Sequence, residues 1–325
     1  MSTSEQAGAG HQPQPMVVVG VDGTPDGDRA LGYAMEQAYR LGVGLRLVHV
    51  TPDPVPFSPM LPVFAPGAFP VVGNRILADA AARVHAVVDD EIAVEQVLLD
   101  GPRADALVDQ AEHAVEIVLG ERTARPGEPA TSATTEAVMA AAPCPVVIVP
   151  VGWAPGPAER VVAAVDGSAT ATGVLAAAFE AAEQREVVLQ VVHAWRPAPG
   201  YDTLLGVSGG LVWERQVEPE IWALVAGLRA DHPDVPVQVH VLFDKPACAV
   251  ARVARGADLL VVGRRTEDSS GHPALESTAR ALLRNAPCPV AIVPVPQGAG
   301  LPRQRGPVGA AAPSRPVTTA GGGPG

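Results

Sequence analysis

The stretch MVVVGVDGT occupies residues 16–24, and a second version of it, RVVAAVDGS, occupies residues 160–168. Each version is an apolar run of strand length that ends in Val-Asp-Gly and a hydroxyl residue. Two further features recur at the same offset of 144 residues, namely APCPV at residues 142–146 and 286–290 and a histidine that closes an apolar run, His49 and His193. Short solenoid repeats recur every 20 to 50 residues, so this much longer offset predicts the duplication of a whole domain.

The composition is that of a globular protein with an acidic surface. A chain of 325 residues is long enough for two domains of about 150 residues, and 47% hydrophobic residues allow each domain a core. The 35 acidic residues exceed the 23 Lys and Arg residues by 12. Because nucleic-acid backbones are bound by clustered positive charge, we expect no nucleic-acid partner.

Several other classes of protein are disfavoured by the same inspection. No apolar stretch reaches the ~18 residues of a membrane span and the first 15 residues do not resemble a signal peptide, so we expect no membrane partner and a cytoplasmic location. The three cysteines show no metal-binding spacing, so no metal site is expected. The only lysine, Lys245, follows no glycine loop, which disfavours a Walker or Schiff-base mechanism.

Apolar runs alternate with helical patterns in both copies. The predicted strands lie near residues 16–21, 45–50, 94–99, 115–119 and 145–149, and near 160–165, 187–192, 237–242, 258–262 and 290–293. Strands that are apolar throughout and separated by helices indicate a parallel sheet covered on both faces. The sequence therefore predicts an α/β protein with two tandem doubly wound domains of five strands each.

The segments between and around these domains are rich in proline and glycine. We predict domains at residues 16–151 and 160–296, joined by a linker at residues 152–159. The ends, residues 1–15 and 297–325, bury too little apolar surface to order and are predicted to be disordered tails. The proline-dense residues 51–72 predict an irregular connection before a helix at about residues 74–91.

The repeated motifs resemble the universal stress proteins, in the tandem form with two such domains in one chain. The resemblance covers residues 16–151 and 160–295 and is based on the Val-Asp-Gly end of strand one, the Val-His end of strand two, the glycine after strand four and the APCPV entry to strand five. It implies the strand order 3-2-1-4-5, with a ligand crevice between strands one and four. It also implies that domains pair through strand five, here within one chain, and that a homodimer is possible.

The crevice assigns candidate nucleotide-binding residues to each copy. They are Asp22, Gly23, Val50, Gly120, Thr123, Ser132 and Ala133 in the first, and Asp166, Gly167, Gly263, Arg264, Thr266, Ser277 and Thr278 in the second. The two aspartates can accept hydrogen bonds from a ribose or adenine, or they can instead cap the turn that follows them. The two glycines that end strand four open loops leading to a helix N-terminus, which suits phosphate.

The phosphate loop departs from the family's pattern in both copies. ATP-binding members carry Gly-x-x-Gly, nine residues, then Gly-Ser or Gly-Thr. In the first copy the loop is one residue short and Ser132 and Ala133 stand where Gly-Ser is expected, and in the second Glu276 replaces the glycine before Ser277. A carboxylate there repels phosphate, although Arg122, Arg125, Arg264 and Arg265 offer partial compensation. The expectation is weak ATP binding in one or both crevices.

Three other features carry alternative interpretations. The sequence GVSGG at residues 206–210 matches a hydrolase elbow, but no strand is predicted before it. His49 and His193 are either general bases or structural groups at strand ends. The aromatic residues of the second copy, Trp195, Tyr201, Trp213 and Trp222, either line a pocket or pack a long loop against its helix.

The sequence thus predicts a non-enzymatic stress-response protein that binds ATP or a related nucleotide. A nucleotide-free scaffold that acts through protein partners is the second possibility. A weak ATP or ester hydrolase is the third possibility. It is disfavoured because no base, nucleophile or metal-ligand set clusters in the sequence.

Overall fold

The structure is a computed structural model that describes residues 14–51, 68–88, 91–122, 131–157, 159–167, 170–196, 202–265, 277–284 and 286–295. The first half contains β1 (Met16–Gly20), α1 (Pro25–Leu41), β2 (Gly44–Thr51), α2 (Ala68–Val88), β3 (Val94–Asp100), α3 (Arg103–Asp109), β4 (Ala114–Gly120), α4 (Ala133–Ala141) and β5 (Val146–Val149). The second half contains β6 (Arg160–Val165), α5 (Thr170–Arg185), β7 (Val188–Ala194), α6 (Asp202–Arg229), β8 (Val237–Leu242), α7 (Pro246–Val253), β9 (Leu259–Arg265), α8 (Ser277–Leu283) and β10 (Val290–Val295). The predicted tails lie outside the described residues, apart from residues 14 and 15.

The ten strands form one sheet in the order β3-β2-β1-β4-β5-β10-β9-β6-β7-β8. Within each half the strands are parallel, and the order is 3-2-1-4-5 when the strands of that half are counted from its first. The structure therefore confirms the predicted α/β class and strand order.

The two halves join through their fifth strands. β5 and β10 run antiparallel, with Val146 opposite Ile292, Val147 opposite Ala291 and Ile148 opposite Val290. All six residues are buried. Because an unpaired strand edge exposes a row of backbone hydrogen-bonding groups, this pairing satisfies one edge of each half-sheet at once. The pairing that the sequence analysis expected within the chain is thus present.

Helices cover both faces of the continuous sheet. α1, α2, α5 and α6 pack on one face, and α3, α4, α7 and α8 pack on the other. Alternate residues of the strands point to opposite faces, so each strand contributes to both layers. Each layer is a hydrophobic cluster that contains residues from both halves.

The start of α1 follows directly from its sequence. The Thr24 side chain accepts a hydrogen bond from the Gly27 amide, and Pro25 occupies the first helical position, where a missing N–H costs nothing. At the other end Gly42 adopts φ +63°, a left-handed conformation that glycine tolerates. Thr24 is therefore the N-cap of α1.

Two long helices extend beyond the sequence prediction. α2 begins at Ala68, six residues before the predicted start, and accommodates Pro70 in its first turn. α6 is a single helix of 28 residues that includes residues 206–210, the segment whose sequence matches a hydrolase elbow. Residues 52–67 of the proline-rich connection lie outside the described residues.

A buried polar cluster crosses between the halves on the α1/α5 face. The guanidinium of Arg185 in α5 donates to the Gln37 side-chain oxygen at 2.7 Å and to the Tyr33 hydroxyl at 3.3 Å, both in α1. Glu116 of β4 is buried beside these groups. Burial raises the pKa of Glu116 to about 7, and the positive charge of Arg185 opposes that rise.

We expect Glu116→Gln to change the pH dependence of stability. An acid whose pKa is raised on folding stabilises the fold fully only below its unfolded pKa of about 4.5, and that contribution is lost as the pH rises to about 7. The free energy of unfolding of the variant should therefore exceed that of wild type by up to about 3 kcal/mol as the pH rises from one value to the other. Urea unfolding at several pH values measures the difference. Glu112→Gln at an exposed position is the control, and parallel profiles for wild type and Glu116→Gln would contradict the assignment.

We also expect Ile148→Asp to destabilise the joined sheet. The Ile148 side chain is 2% exposed where β5 pairs with β10, so the substitution buries an uncompensated charge. The expected loss is about 4 kcal/mol of unfolding free energy, measured by denaturant titration. Val151→Asp is the matched control, because Val151 follows the same strand but is 49% exposed. An unchanged unfolding midpoint for Ile148→Asp would show that the join does not hold the halves together.

Candidate functional site

The first half contains a cavity of about 520 Å³ at the carboxyl ends of β1, β2 and β4. The N-terminal ends of α1, α3 and α4 complete its walls. It is lined by Gly20, Val21, Asp22, Thr24, Asp26, Gly27, Val48, His49, Val50, Arg103, Leu107, Leu119, Gly120, Arg122, Ser132, Thr134 and Thr135. Its volume falls in the range of about 300–1,000 Å³ that is common for small-molecule sites.

Asp22 forms the turn that connects β1 to α1. Its Oδ1 accepts hydrogen bonds from the Thr24 amide at 3.0 Å and the Thr24 hydroxyl at 2.6 Å. Gly23, between them, has φ +74°, which few side chains tolerate. The capping role left open for Asp22 is therefore present. Within the described part of the chain Oδ2 makes no hydrogen bond, so this oxygen can still serve a ligand.

His49 is fixed as a structural group at the cavity wall. Its Nδ1 lies 2.7 Å from the Val21 carbonyl oxygen, and a carbonyl only accepts, so Nδ1 carries the hydrogen. His193 repeats the contact with the Val165 carbonyl at 2.9 Å, and burial lowers its pKa. His49 thus ties the end of β2 to the end of β1, and His193 ties the end of β7 to the end of β6.

Gly120 allows β4 to approach the first turn of α1. A Cβ on this residue would clash with the backbone carbonyl of Asp26, so no side chain fits without a shift of the backbone. Gly120 lines the cavity as predicted, but its lack of a side chain is already required by packing. The sequence alone does not show whether glycine is needed here for packing against α1 or for the shape of the cavity.

The N-terminus of α4 faces the cavity with its positive end. Ser132 caps this helix by accepting from the Thr135 amide at 3.1 Å, and Ser132, Thr134 and Thr135 line the wall. The amides of Ala133 and Thr134 lie in the first turn, where a helix offers no internal acceptor. Arg103 and Arg122 line the same cavity. This combination favours an anion.

The second half has a much smaller cavity, about 90 Å³. It is lined by Ala164, Val165, Asp166, Thr170, Val192, Ala194, Pro246, Val250, Val262, Gly263, Thr278 and Ala279. Pro246 is the first residue of α7, the position that Arg103 holds in α3. No arginine or lysine is among the described residues that line this cavity. Its walls are therefore mainly apolar and poorly suited to a phosphate.

Aromatic packing distinguishes the second half further. Trp213 of α6 stacks on His193 with ring centroids 5.6 Å apart and also contacts Trp195 and Phe243. In the first half the corresponding helix α2 places Gly73 beside His49, where a Cβ would lie 2.9 Å from the ring. The predicted aromatic cluster thus packs α6 against the sheet. Tyr201 lies outside the described residues.

The structure places the predicted site residues unevenly. Asp22, Val50, Gly120 and Ser132 line the first cavity, and Asp166, Gly263 and Thr278 line the second. Gly23, Ala133, Gly167 and Ser277 lie next to lining residues in the sequence but do not line either cavity. Thr123 and Thr266 lie outside the described residues. The sequence analysis missed Arg103 and Leu107, because α3 had been assigned no part in the crevice, and it also missed Thr134 of α4.

Arg264 corrects the prediction for the second phosphate loop. Its side chain is 4% exposed and donates to the backbone oxygens of Ala140 and Ala142, at the end of α4 in the first half. β9 continues through Arg265, and strand alternation turns Arg264 to the face that α4 covers. The residue therefore bridges the two halves and does not line the second cavity.

The family model described as the universal stress protein family matches the chain twice, at residues 16–150 and 157–294. The chain belongs to the universal stress protein family. Universal stress protein Rv1996 of Mycobacterium tuberculosis is 28% identical over 312 residues, which cover 88% of this chain and 97% of that protein. Universal stress protein Rv2005c of the same organism is 29% identical over 290 residues, which cover 85% and 96%.

Solved structures of universal stress proteins share the fold of both halves. A universal stress protein from Archaeoglobus fulgidus superimposes with a TM-score of 0.57 over 86% of this chain and 98% of that chain, at 17% identity. At that identity the likeness concerns the fold alone. It agrees with the two halves and the strand order seen here.

Three other functional features are absent from the described part of this universal stress protein. No group of three His, Cys, Asp or Glu side chains is placed to hold a metal ion there. None of the described helices is both long and apolar enough to cross a membrane. Residues 206–210 lie inside α6, so the strand and sharp turn of a hydrolase elbow are not present at that motif.

We expect Gly120→Ala to destabilise this universal stress protein by about 3 kcal/mol, since the added Cβ forces β4 and α1 apart. Gly156→Ala is the matched control, because no atom lies within 4 Å of its added Cβ. That variant should match or slightly exceed wild type in stability. Thermal unfolding of the three proteins measures both effects. Equal thermal unfolding midpoints for the two variants would show that Gly120 has no such packing role.

Proposed function

We propose that this universal stress protein binds one adenine nucleotide per chain, ATP or a close relative, in the first-half cavity. It acts in the stress response as a nucleotide-responsive module without catalysis. The difference between the cavities carries the proposal: the first measures about 520 Å³ and the second about 90 Å³. Only the larger volume falls in the usual range for a small-molecule site.

The phosphates would lie at the α4 side of the cavity. The amides of Ala133 and Thr134 and the helix dipole supply fixed positive partial charge there. Arg103 and Arg122, on α3 and on the loop after β4, supply full positive charge. Backbone and side chains together thereby replace the glycine-rich loop that the first-half sequence lacks.

The nucleoside would lie at the β1 and β2 side of the cavity. Val50 of β2 gives this part an apolar wall that suits a base, and Leu107 of α3 and Leu119 of β4 continue that wall. The Oδ2 of Asp22 offers an acceptor for a ribose hydroxyl or an amino group. Asp22 therefore combines a turn cap through one oxygen with a ligand contact through the other.

The absence of catalysis is part of the proposal. His49 donates its Nδ1 hydrogen to a backbone carbonyl, which orients the ring as a structural tie between β1 and β2. The carboxylate of Asp26 pairs with Arg29, and Asp22 caps a turn, so both acidic groups of the cavity already have structural roles. Binding and release of the nucleotide, rather than its turnover, would carry the signal.

We expect calorimetric titration with ATP and magnesium to give one site per chain. The double variant Arg103→Gln/Arg122→Gln should weaken ATP binding at least about tenfold, because each lost charged hydrogen bond is worth about 1.5–3 kcal/mol. Adenosine has no phosphate, so its affinity should change less than about twofold. Arg252→Gln, which breaks a surface ion pair on α7, is the control and should bind ATP as wild type does.

Three results would count against the proposal. No heat with ATP or adenosine would favour the nucleotide-free scaffold. Two equal sites per chain would contradict the assignment to the first half. Steady release of phosphate from ATP would contradict the non-catalytic role and favour the hydrolase alternative.

A further inference from the structure

α4, one of the helices that line the first-half cavity, is contacted at its far end by the second half, through Arg264. This side chain leaves β9, crosses to the first half and places its guanidinium at the carboxyl end of α4. Nη1 donates to the Ala140 carbonyl, and Nη2 donates to the Ala142 carbonyl at 2.6 Å. The side chain is almost fully buried, so water does not compete for these hydrogen bonds.

These contacts complete a helix end that the first half leaves open. The last four carbonyls of a helix have no partner within it and carry partial negative charge. α4 ends at Ala141, and its C-cap Ala142 is extended at φ −60° and ψ 133°, without a left-handed glycine to close the turn. The guanidinium supplies two donors and a positive charge at that position. Charged hydrogen bonds of this kind are among the stronger ones in proteins.

The opposite end of the same helix lines the proposed nucleotide site. α4 has nine residues, a length of about 13 Å, so both ends move together when the helix shifts. Isolated helices this short are unstable in water, and their position depends on packing and on their ends. Val138 and Met139 fix the middle of α4 in the core, Ser132 caps its start, and Arg264 holds its end.

A second bridging arginine provides a comparison within the same interface. Arg185 crosses from α5 to Tyr33 and Gln37 of α1, on the opposite face of the sheet. It is also buried and also donates from its guanidinium to the first half. Among the described residues its hydrogen-bond partners are on α1 and α5, and none is on α4. The two arginines thus differ mainly in which helix they hold.

We propose that Arg264 is a positioning residue through which the second half sets the ligand affinity of the first-half cavity. By holding the carboxyl end of α4, it keeps the amides of Ala133 and Thr134 aimed into the cavity. In this view the second half has lost a roomy crevice of its own and acts as a support for the first. The claim about ligand affinity rests on the proposed function, whereas the claim that Arg264 positions α4 does not.

The test compares Arg264→Gln with Arg185→Gln in the full chain. Hydrogen exchange measures the protection of the α4 amides, residues 133–142, without any ligand. Arg264→Gln should exchange at least about fivefold faster in α4, whereas Arg185→Gln should exchange there as wild type does. ATP affinity should fall by a similar factor of about five or more in Arg264→Gln and stay within twofold in Arg185→Gln.

Each outcome bears on the inference. A loss of ATP affinity confined to Arg264→Gln supports it, even where both variants melt at the same lower temperature. Equal losses in both variants, or unchanged α4 exchange in Arg264→Gln, overturn it. Where wild type binds no ATP the proposed function fails, and the exchange of α4 alone then decides whether Arg264 positions the helix.

A third variant covers the case in which Arg264→Gln does not fold. Arg264→Lys keeps the charge but loses the planar pair of donors that reaches two carbonyls. It should show faster α4 exchange and weaker ATP binding than wild type. Values equal to wild type would show that charge alone suffices and would overturn the claim that the two-carbonyl contact sets the helix position.

Discussion

The antiparallel pairing of β5 with β10 is the constraint on which the rest of the structure depends. It joins two parallel half-sheets into one sheet of ten strands and makes each hydrophobic layer continuous across the join. It also brings elements of the second half against elements of the first, Arg185 against α1 and Arg264 against α4. The first-half cavity therefore lies in a structural unit that extends beyond residues 16–150, the first region that matches the family.

The duplication preserved the strand order in both halves but produced two different crevices. Gly73 faces His49 in one half, whereas Trp213 covers His193 in the other. Arg103 opens α3 where Pro246 opens α7. The residue after the strand-four glycine in the second half, Arg264, turns toward the first half. These differences support the proposal that the first half binds the ligand and the second half supports it.

Much of the fold followed from the sequence, because the apolar runs and the repeated motifs depend on local patterns. The join of the fifth strands followed from the resemblance and from the cost of exposed strand edges. Site residues were harder to predict. Arg264 is adjacent in sequence to the crevice residue Gly263, but its long side chain crosses to the carboxyl end of α4 in the first half. Arg103 enters the cavity from a helix that is distant in sequence, and no local pattern signals such a contact.

The central claim is that ligand binding belongs to the first half and support to the second. Photolabelling of the full chain with 8-azido-ATP, followed by mass mapping of the labelled peptides, tests it most directly. The account predicts label on peptides that line the first-half cavity, such as those containing His49, Arg103 or Arg122, and its suppression by excess ATP. ATP-suppressible label on the peptides around Asp166 or Thr278 would contradict the account.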